Sequence, residues 1–170
     1  MRVLGFDPSM SNWGWVLADI VDGNITPLMS GVICVSADPT ISKSKPVQNI
    51  YRASAILREL IAVLDDVAGV YDIYVEVPHG GKSSQAAVSA TMCQTLLGSL
   101  LLCGVNLIPV TAMANKKTVG NKTASKDAVI DWINQRHPDF LPKKKDGSIL
   151  KNKAEHIADA LLTIYTGLNK

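Results

Sequence analysis

The sequence predicts an α/β fold with a mixed five-stranded sheet, whose first three strands are antiparallel, and with helices on both faces. Its opening contains three short apolar runs separated by turn signals, which is typical of a β-meander. Segments with helical periodicity then alternate with short β-rich runs, as in βαβ units. With 170 residues, 47% hydrophobic and 19% charged, the chain fits one globular domain over residues 1–170.

The first three strands are predicted from apolar runs that end at turns. Residues 3–6 form a run that stops at Asp7-Pro8-Ser9, and residues 13–21 form the second run. Asp22-Gly23-Asn24 is a hairpin signal, and residues 31–35 form the third strand. Trp13 and Trp15 alternate along the second strand, which favours packing against the sheet over stacking on a nucleic acid.

The remainder of the chain alternates helices and strands. Apolar residues at helical spacing mark the helices, and β-branched or aromatic residues mark the strands. Ser125 is a candidate N-cap. In order, we predict a helix over 47–67, a strand over 71–77, a largely buried helix over 84–103, a strand over 105–110, and helices over 125–136 and 153–168.

Composition argues against a secreted, disulfide-bonded or membrane protein. Cys34, Cys93 and Cys103 stand singly in apolar runs, so we expect buried, reduced thiols. The chain begins in a strand-like run rather than a signal peptide. The longest apolar stretch, 96–110, is interrupted by Gly, Asn and Pro and is shorter than the roughly 20 residues of a membrane span. We expect a soluble cytoplasmic protein without a membrane partner.

Charge is distributed unevenly along the chain. Residues 115–153 contain nine lysines and one arginine against four aspartates, a net charge of +6, while the remainder carries −4. A basic segment beside an acidic remainder indicates a polyanionic partner bound near carboxylates. A solvated lysine-rich loop explains the same pattern equally well.

Two acidic residues end predicted neighbouring strands. Asp7 follows the first strand and Glu76 lies near the end of the fourth, where the sites of α/β sheets gather. Ionised carboxylates in a partly dry site are costly unless they are paired or bind metal, and hard oxygen ligands suit Mg²⁺ or Mn²⁺. Considered alone, each residue is better explained as a turn cap or a surface acid, and only the final helix changes that balance.

The final helix adds further candidate ligands. At about 100° per residue, Glu155, His156 and Asp159 lie on one side, and the apolar residues around Ile157 and Leu161 face the core. A histidine and a carboxylate three residues apart can share one metal ion. A solvated polar stripe is the alternative for this helix.

Four short motifs carry a resemblance to a known family. Together they resemble the RuvC family of Holliday-junction resolvases, in the RNase H-like superfamily, and they span nearly the whole chain in the family's order. They are Gly5-Phe6-Asp7-Pro8-Ser9 with Gly14, Val75-Glu76, Lys117-Thr118-Val119-Gly120 followed by Ala124-Ser125-Lys126, and His156-Ile157-Ala158-Asp159-Ala160-Leu161.

The resemblance implies an RNase H-like nuclease that acts as a homodimer on four-way or branched DNA, nicking opposing strands symmetrically to leave 5′ phosphates. Asp7, Glu76, His156 and Asp159 would be the catalytic quartet, holding two Mg²⁺ or Mn²⁺ ions, with no nucleotide cofactor. Expected contacts to DNA phosphates come from five lysines: Lys82, Lys116, Lys117, Lys122 and Lys126.

The chain departs from the family pattern at three places. Val77-Pro78-His79 stands where a glutamine and a base-stacking aromatic often follow the glutamate. The glycine pair of the basic loop is replaced by Gly120-Asn121-Lys122, and residues 143–153 form an extra basic loop. His79 could stack on an unpaired base or be an ordinary loop histidine.

Three rival functions are compatible with parts of the pattern. One is a related nuclease that cuts RNA–DNA hybrids or single strands, and another is a catalytically silent junction-binding module. The third is a sugar-kinase or actin-like ATPase, which would use the turn between Asp7 and Gly14 but needs a second domain to enclose ATP.

Overall fold

The sheet contains five strands in the order β3-β2-β1-β4-β5. In the computed structural model, which describes residues 1–67, 69–70, 72–81, 83–120 and 122–169, β1 pairs antiparallel with β2 and parallel with β4. β2 pairs antiparallel with β3, and β4 pairs parallel with β5, which confirms the mixed sheet. The strands are β1 Arg2–Asp7, β2 Asn12–Val21, β3 Asn24–Cys34, β4 Asp72–Glu76 and β5 Asn106–Val110.

Helices cover both faces of the sheet. One apolar cluster joins Val3, Val16 and Tyr74 to α4 and α5, and the other joins Leu4 and Phe6 to α1 and α2. Side chains alternate between the two faces along each strand, so each strand contributes to both clusters. The helices are α1 Lys45–Asp66, α2 Ser84–Leu100, α3 Ala112–Val119, α4 Lys126–Arg136 and α5 Lys151–Leu168.

Glycines allow α5 to lie unusually close to the sheet. A Cβ on Gly5 would stand 2.2 Å from the carbonyl oxygen of Ala160, and a Cβ on Gly14 would stand 2.2 Å from that of His156. Farther along, Gly167 of the helix faces the ring of Tyr74 in the same way. Backbone therefore meets backbone at Gly5 and Gly14, the Tyr74 ring fills the space at Gly167, and the position of α5 on β1 and β2 is tightly fixed.

Several expectations need correction. β3 begins at Asn24 rather than residue 31, because pairing with β2 extends it through polar and proline-containing sequence. Residues 112–119 form α3, a helix that was not predicted and whose last three residues had been expected in a basic loop. It is capped by Thr111, whose hydroxyl accepts from the backbone N–H of Ala114. Cys93 is buried as expected, but Cys34 and Cys103 are exposed free thiols.

α2 is more exposed than its apolar sequence predicts. Cys93, Leu96 and Leu97 pack on the sheet, while Val88 is 48% exposed. Among the described residues, Ser84–Cys103 is the one helical segment long and apolar enough for a membrane span. Helices that pack in soluble cores satisfy the same criterion, so this observation is weak.

Candidate active site

Strand alternation directs Asp7 and Glu76 to the sheet face that α5 covers. Phe6 and Val75, the residues before them, are partners in the parallel β1–β4 register, and both pack in the cluster on the opposite face. Asp7 and Glu76 are the last residues of their strands. The two carboxylates therefore lie side by side at the carboxyl end of the sheet, as predicted.

α5 brings His156 onto Asp7. The ring Nδ1 of His156 lies 2.9 Å from Oδ2 of Asp7, and Nε2 lies 3.4 Å from Oε1 of Glu155. The hydrogen bond and charge of Asp7, with a smaller contribution from Glu155, raise the pKa of His156 against the opposing effect of burial. The close approach at Gly14 sets this contact, because it presses the backbone of His156 against β2.

Asp159 lies one helical turn farther along α5. Burial, followed by the negative charges of Asp7 and Glu76, raises its pKa to about 8, although Lys126 and His156 act in the opposite direction. The charges of Asp7 and Glu76 therefore disfavour the ionisation of Asp159, and the charge of Asp7 disfavours that of Glu76. The four candidate residues identified in the sequence lie close together in the structure: Asp7, Glu76, His156 and Asp159.

Asn115 is a member of the site that sequence reasoning missed. It lies on α3, and its Nδ2 donates to Oε2 of Glu76 at 2.5 Å. Burial raises the pKa of Glu76, and this hydrogen bond, together with the charges of His79 and Lys116, opposes the shift. No sequence signal identified Asn115, because it precedes the predicted basic loop, in a stretch for which no helix was predicted.

A pocket of about 260 Å³ opens beside the carboxylates. Glu76 and Asp159 form part of its wall, Lys116 on α3 forms another part, and Ser125 and Lys126 line it at the N-terminus of α4. Ser125 caps α4, as predicted, by accepting from the backbone N–H of Ala128. Basic side chains and a helix N-terminus favour an anion in this position.

The lysines expected to contact DNA differ in their surroundings. Lys116 faces the pocket from α3, whereas the Nζ of Lys126 is paired with Oε2 of Glu155 at 2.9 Å. Lys117, in the last turn of α3, and Lys122 are exposed. Lys82 lies outside the described residues. A basic surface thus borders the carboxylates, as the charge pattern indicated.

Two tryptophans and one histidine considered in the sequence lie outside the carboxylate centre. Trp13 is fully buried and Trp15 packs on the same apolar cluster, which confirms that both belong to the core. His79 is exposed beside a small cleft lined by Pro8 and Cys93.

The donor set suits a hard divalent cation. No three His, Cys, Asp or Glu side chains among the described residues are already gathered as ligands, and His156 and Asn115 instead occupy oxygens of Asp7 and Glu76. The carboxylate oxygens of Asp7, Glu76 and Asp159 are nevertheless the ligands that such ions prefer, and the imidazole of His156 is a ligand more typical of transition-metal ions. Burial and the charges of Asp7 and Glu76 raise the pKa of Asp159, and a cation bound beside it would oppose this shift and favour loss of its proton.

The element order and sheet topology define an RNase H-like α/β fold, and comparison with solved structures gives a more particular likeness. The chain superimposes on Thermus thermophilus RuvC in complex with a Holliday junction substrate (TM-score 0.66, 17% identity, 98% of this chain and 92% of that one). It also superimposes on another Thermus thermophilus RuvC structure (TM-score 0.64, 19% identity, 98% and 92%). A third match is fowlpox virus resolvase in complex with Holliday junction DNA (TM-score 0.55, 15% identity, 99% and 95%).

Sequence comparison adds nothing to this likeness. No protein-family model matches the chain, and neither does any curated protein. At identities of 15–19% the structural likeness establishes the fold, which is RuvC-like.

Proposed function

We propose that this chain is a single-domain, structure-specific endonuclease that resolves four-way or branched DNA by metal-dependent phosphodiester hydrolysis. The observation that carries the proposal is the convergence of Asp7, Glu76, His156 and Asp159 beside a lysine-lined pocket. A RuvC-like fold, shared with two resolvases bound to Holliday junctions, supports the same substrate class.

We propose that the site holds two Mg²⁺ or Mn²⁺ ions. Their ligands would be Asp7, Glu76, His156 and Asp159. When bound, such ions polarise the phosphate, lower the pKa of the attacking water and stabilise the leaving oxygen. Hydrolysis with release of a 3′ hydroxyl leaves the 5′ phosphate on the product.

The chain's own basic groups would place the DNA backbone. Lys116 and Lys126 border the pocket next to Glu76 and Asp159, and the N-terminus of α4 adds a positive dipole. A phosphate entering the pocket would compete with Glu155 for Lys126, so its arrival breaks the Lys126–Glu155 ion pair. Exposed Lys117 and Lys122, with Lys82, would contact flanking phosphates.

His156 would bind and release a proton at the edge of the site. Its raised pKa favours the imidazolium while Nδ1 faces Asp7. If Asp7 held a cation, His156 would lose this acceptor and would favour its neutral form, with its ring proton passing to solvent. In its neutral form His156 can then act as a ligand.

A four-way junction is two-fold symmetric, and the described residues of one chain form one candidate carboxylate centre. Two copies of the chain would place a centre on each of the two opposing strands of one junction, and we therefore propose a homodimer. Light scattering measures the mass in solution; a monomer at working concentrations, with and without junction, would contradict this part of the proposal.

Labelled substrates test the activity and its closest rivals. The protein is incubated with Mg²⁺ or Mn²⁺ and a four-way junction, a duplex, a single strand or an RNA–DNA hybrid, and nicks are mapped on every strand. We expect symmetric nicks with 5′ phosphates on the junction only. Faster cutting of the hybrid or single strand identifies the rival nuclease, and tight junction binding without nicks identifies a silent binding module.

A further inference from the structure

A buried chain of hydrogen bonds links Glu76 to α5. Asn115 is 3% exposed, and besides donating to Glu76 its Nδ2 donates to Oγ1 of Thr163 at 3.1 Å. Thr163, with no exposed surface, donates through the same hydroxyl to the backbone carbonyl of Asp159 at 2.8 Å. The chain therefore runs from one candidate ligand to the backbone of another.

We propose that Asn115 is a positioning residue that fixes the carboxylate of Glu76 against α5, so that Glu76 and Asp159 are held ready to share a divalent cation. This inference rests on the proposed function for its metal. A glutamate side chain on its own samples many rotamers, and ordering it costs free energy at the moment of binding. The Asn115 amide restricts that freedom before a cation arrives, in the way that partners of metal ligands generally orient them.

The orientation of the amide is set by its surroundings. Both protons of Nδ2 are used, one on Glu76 and one on Thr163, whose own proton goes to Asp159. Turning the amide over would place its oxygen against the Glu76 carboxylate, where two acceptors repel.

The amide oxygen of Asn115 lacks a partner, which indicates that the site binds a further molecule. In the described part of the chain, Oδ1 of Asn115 is buried and has no hydrogen-bond partner. A buried oxygen left unsatisfied is costly, and Asn115 lines the pocket that contains Glu76 and Asp159. A water molecule of a hydrated cation in that pocket is the partner that its chemistry fits.

The same helix pair provides a matched control. One turn along α3, the hydroxyl of Thr118 lies 3.0 Å from that of Thr166 on α5. This second contact also joins α3 to α5, but it does not reach a carboxylate. Thr118→Val therefore weakens helix docking without touching Glu76.

The test compares Asn115→Ala, Thr163→Val and Thr118→Val in the full-length protein. Mn²⁺ alone is titrated by calorimetry into DNA-free protein, and junction affinity in EDTA, junction cleavage and thermal midpoint are measured separately. Asn115→Ala should lower Mn²⁺ affinity and turnover by roughly 10-fold to 100-fold, the usual cost of losing a partner of a metal ligand, and leave junction affinity in EDTA unchanged.

Thr163→Val should lower Mn²⁺ affinity less, and Thr118→Val should leave it unchanged. Wild-type Mn²⁺ affinity in Asn115→Ala, or an equal loss in Thr118→Val, overturns the positioning role. Should Asn115→Ala fail to fold, unchanged Mn²⁺ affinity in Thr163→Val does so instead. If Asn115→Ala weakens Mn²⁺ binding but the wild-type protein cuts no DNA, the proposed function fails while the role of Asn115 stands.

Discussion

Gly14→Ala tests whether the packing of α5 on the sheet builds the site. The added Cβ would lie 2.2 Å from the carbonyl oxygen of His156, where ordinary contact begins near 3.4 Å, so β2 and α5 must separate by about 1.2 Å. The obstacle is backbone and cannot rotate away. Overpacking of this kind costs about 1–3 kcal/mol in the free energy of unfolding. A displacement of about 1 Å in the residues that carry the chemistry can cost roughly 100-fold in rate.

Gly98→Ala is the matched control. Gly98 is exposed within α2, and a Cβ there meets no atom within 4 Å. Alanine should therefore stabilise the helix by about 0.5–1 kcal/mol. Urea denaturation measures both free energies, and cleavage of a labelled junction measures the rate. Wild-type stability and cleavage in Gly14→Ala would refute the claim that this contact positions His156.

Three further predictions address binding, stability and ligand identity. Lys116→Ala should weaken junction binding and lower the slope of log affinity against log salt by about 1, as expected for one phosphate contact; an unchanged slope removes Lys116 from the interface. Burial lowers the pKa of His137 from its ordinary 6.5 while its Nε2 contacts the hydroxyl of Tyr165, so the folded protein binds this proton less well than the unfolded chain. The free energy of unfolding should therefore fall as the pH drops through 6.5 and below. His137→Gln should reduce this pH dependence in denaturation curves. Identical pH dependence in both proteins would contradict the prediction. His156→Asp should retain cleavage, since a carboxylate can replace the imidazole as a ligand, whereas complete loss in a folded variant would argue against a ligand role.

Much of the fold was predictable because its signals are local. The strand-end positions of Asp7 and Glu76 followed from apolar runs that stop at turns, and the polar side of α5 followed from helical spacing. β3 was underestimated because its pairing with β2, rather than its own composition, extends it to Asn24. Such tertiary effects are not visible in a single segment.

The candidate site was predictable in its charged residues but not in its supporting contacts. Carboxylates at strand ends can be recognised in a sequence because an isolated charge in a partly buried position is costly unless it is paired or binds a metal. Asn115 was not predicted as a site residue, because its role depends on α3, a helix of eight residues that was not predicted from the sequence. The Lys126–Glu155 ion pair likewise joins two residues 29 positions apart in the sequence, and only the packing of α4 on α5 creates it.

Asp7→Asn provides the most direct test of the central claim that Asp7, Glu76, His156 and Asp159 form one metal-dependent cutting centre. Asparagine keeps the size of the side chain and removes the charge that cations require, while the lysines that would hold DNA stay unchanged. We predict that a labelled four-way junction in Mg²⁺ or Mn²⁺ is nicked by the wild-type protein and left intact by Asp7→Asn, although both bind it with similar affinity. Undiminished nicking by Asp7→Asn would contradict the account.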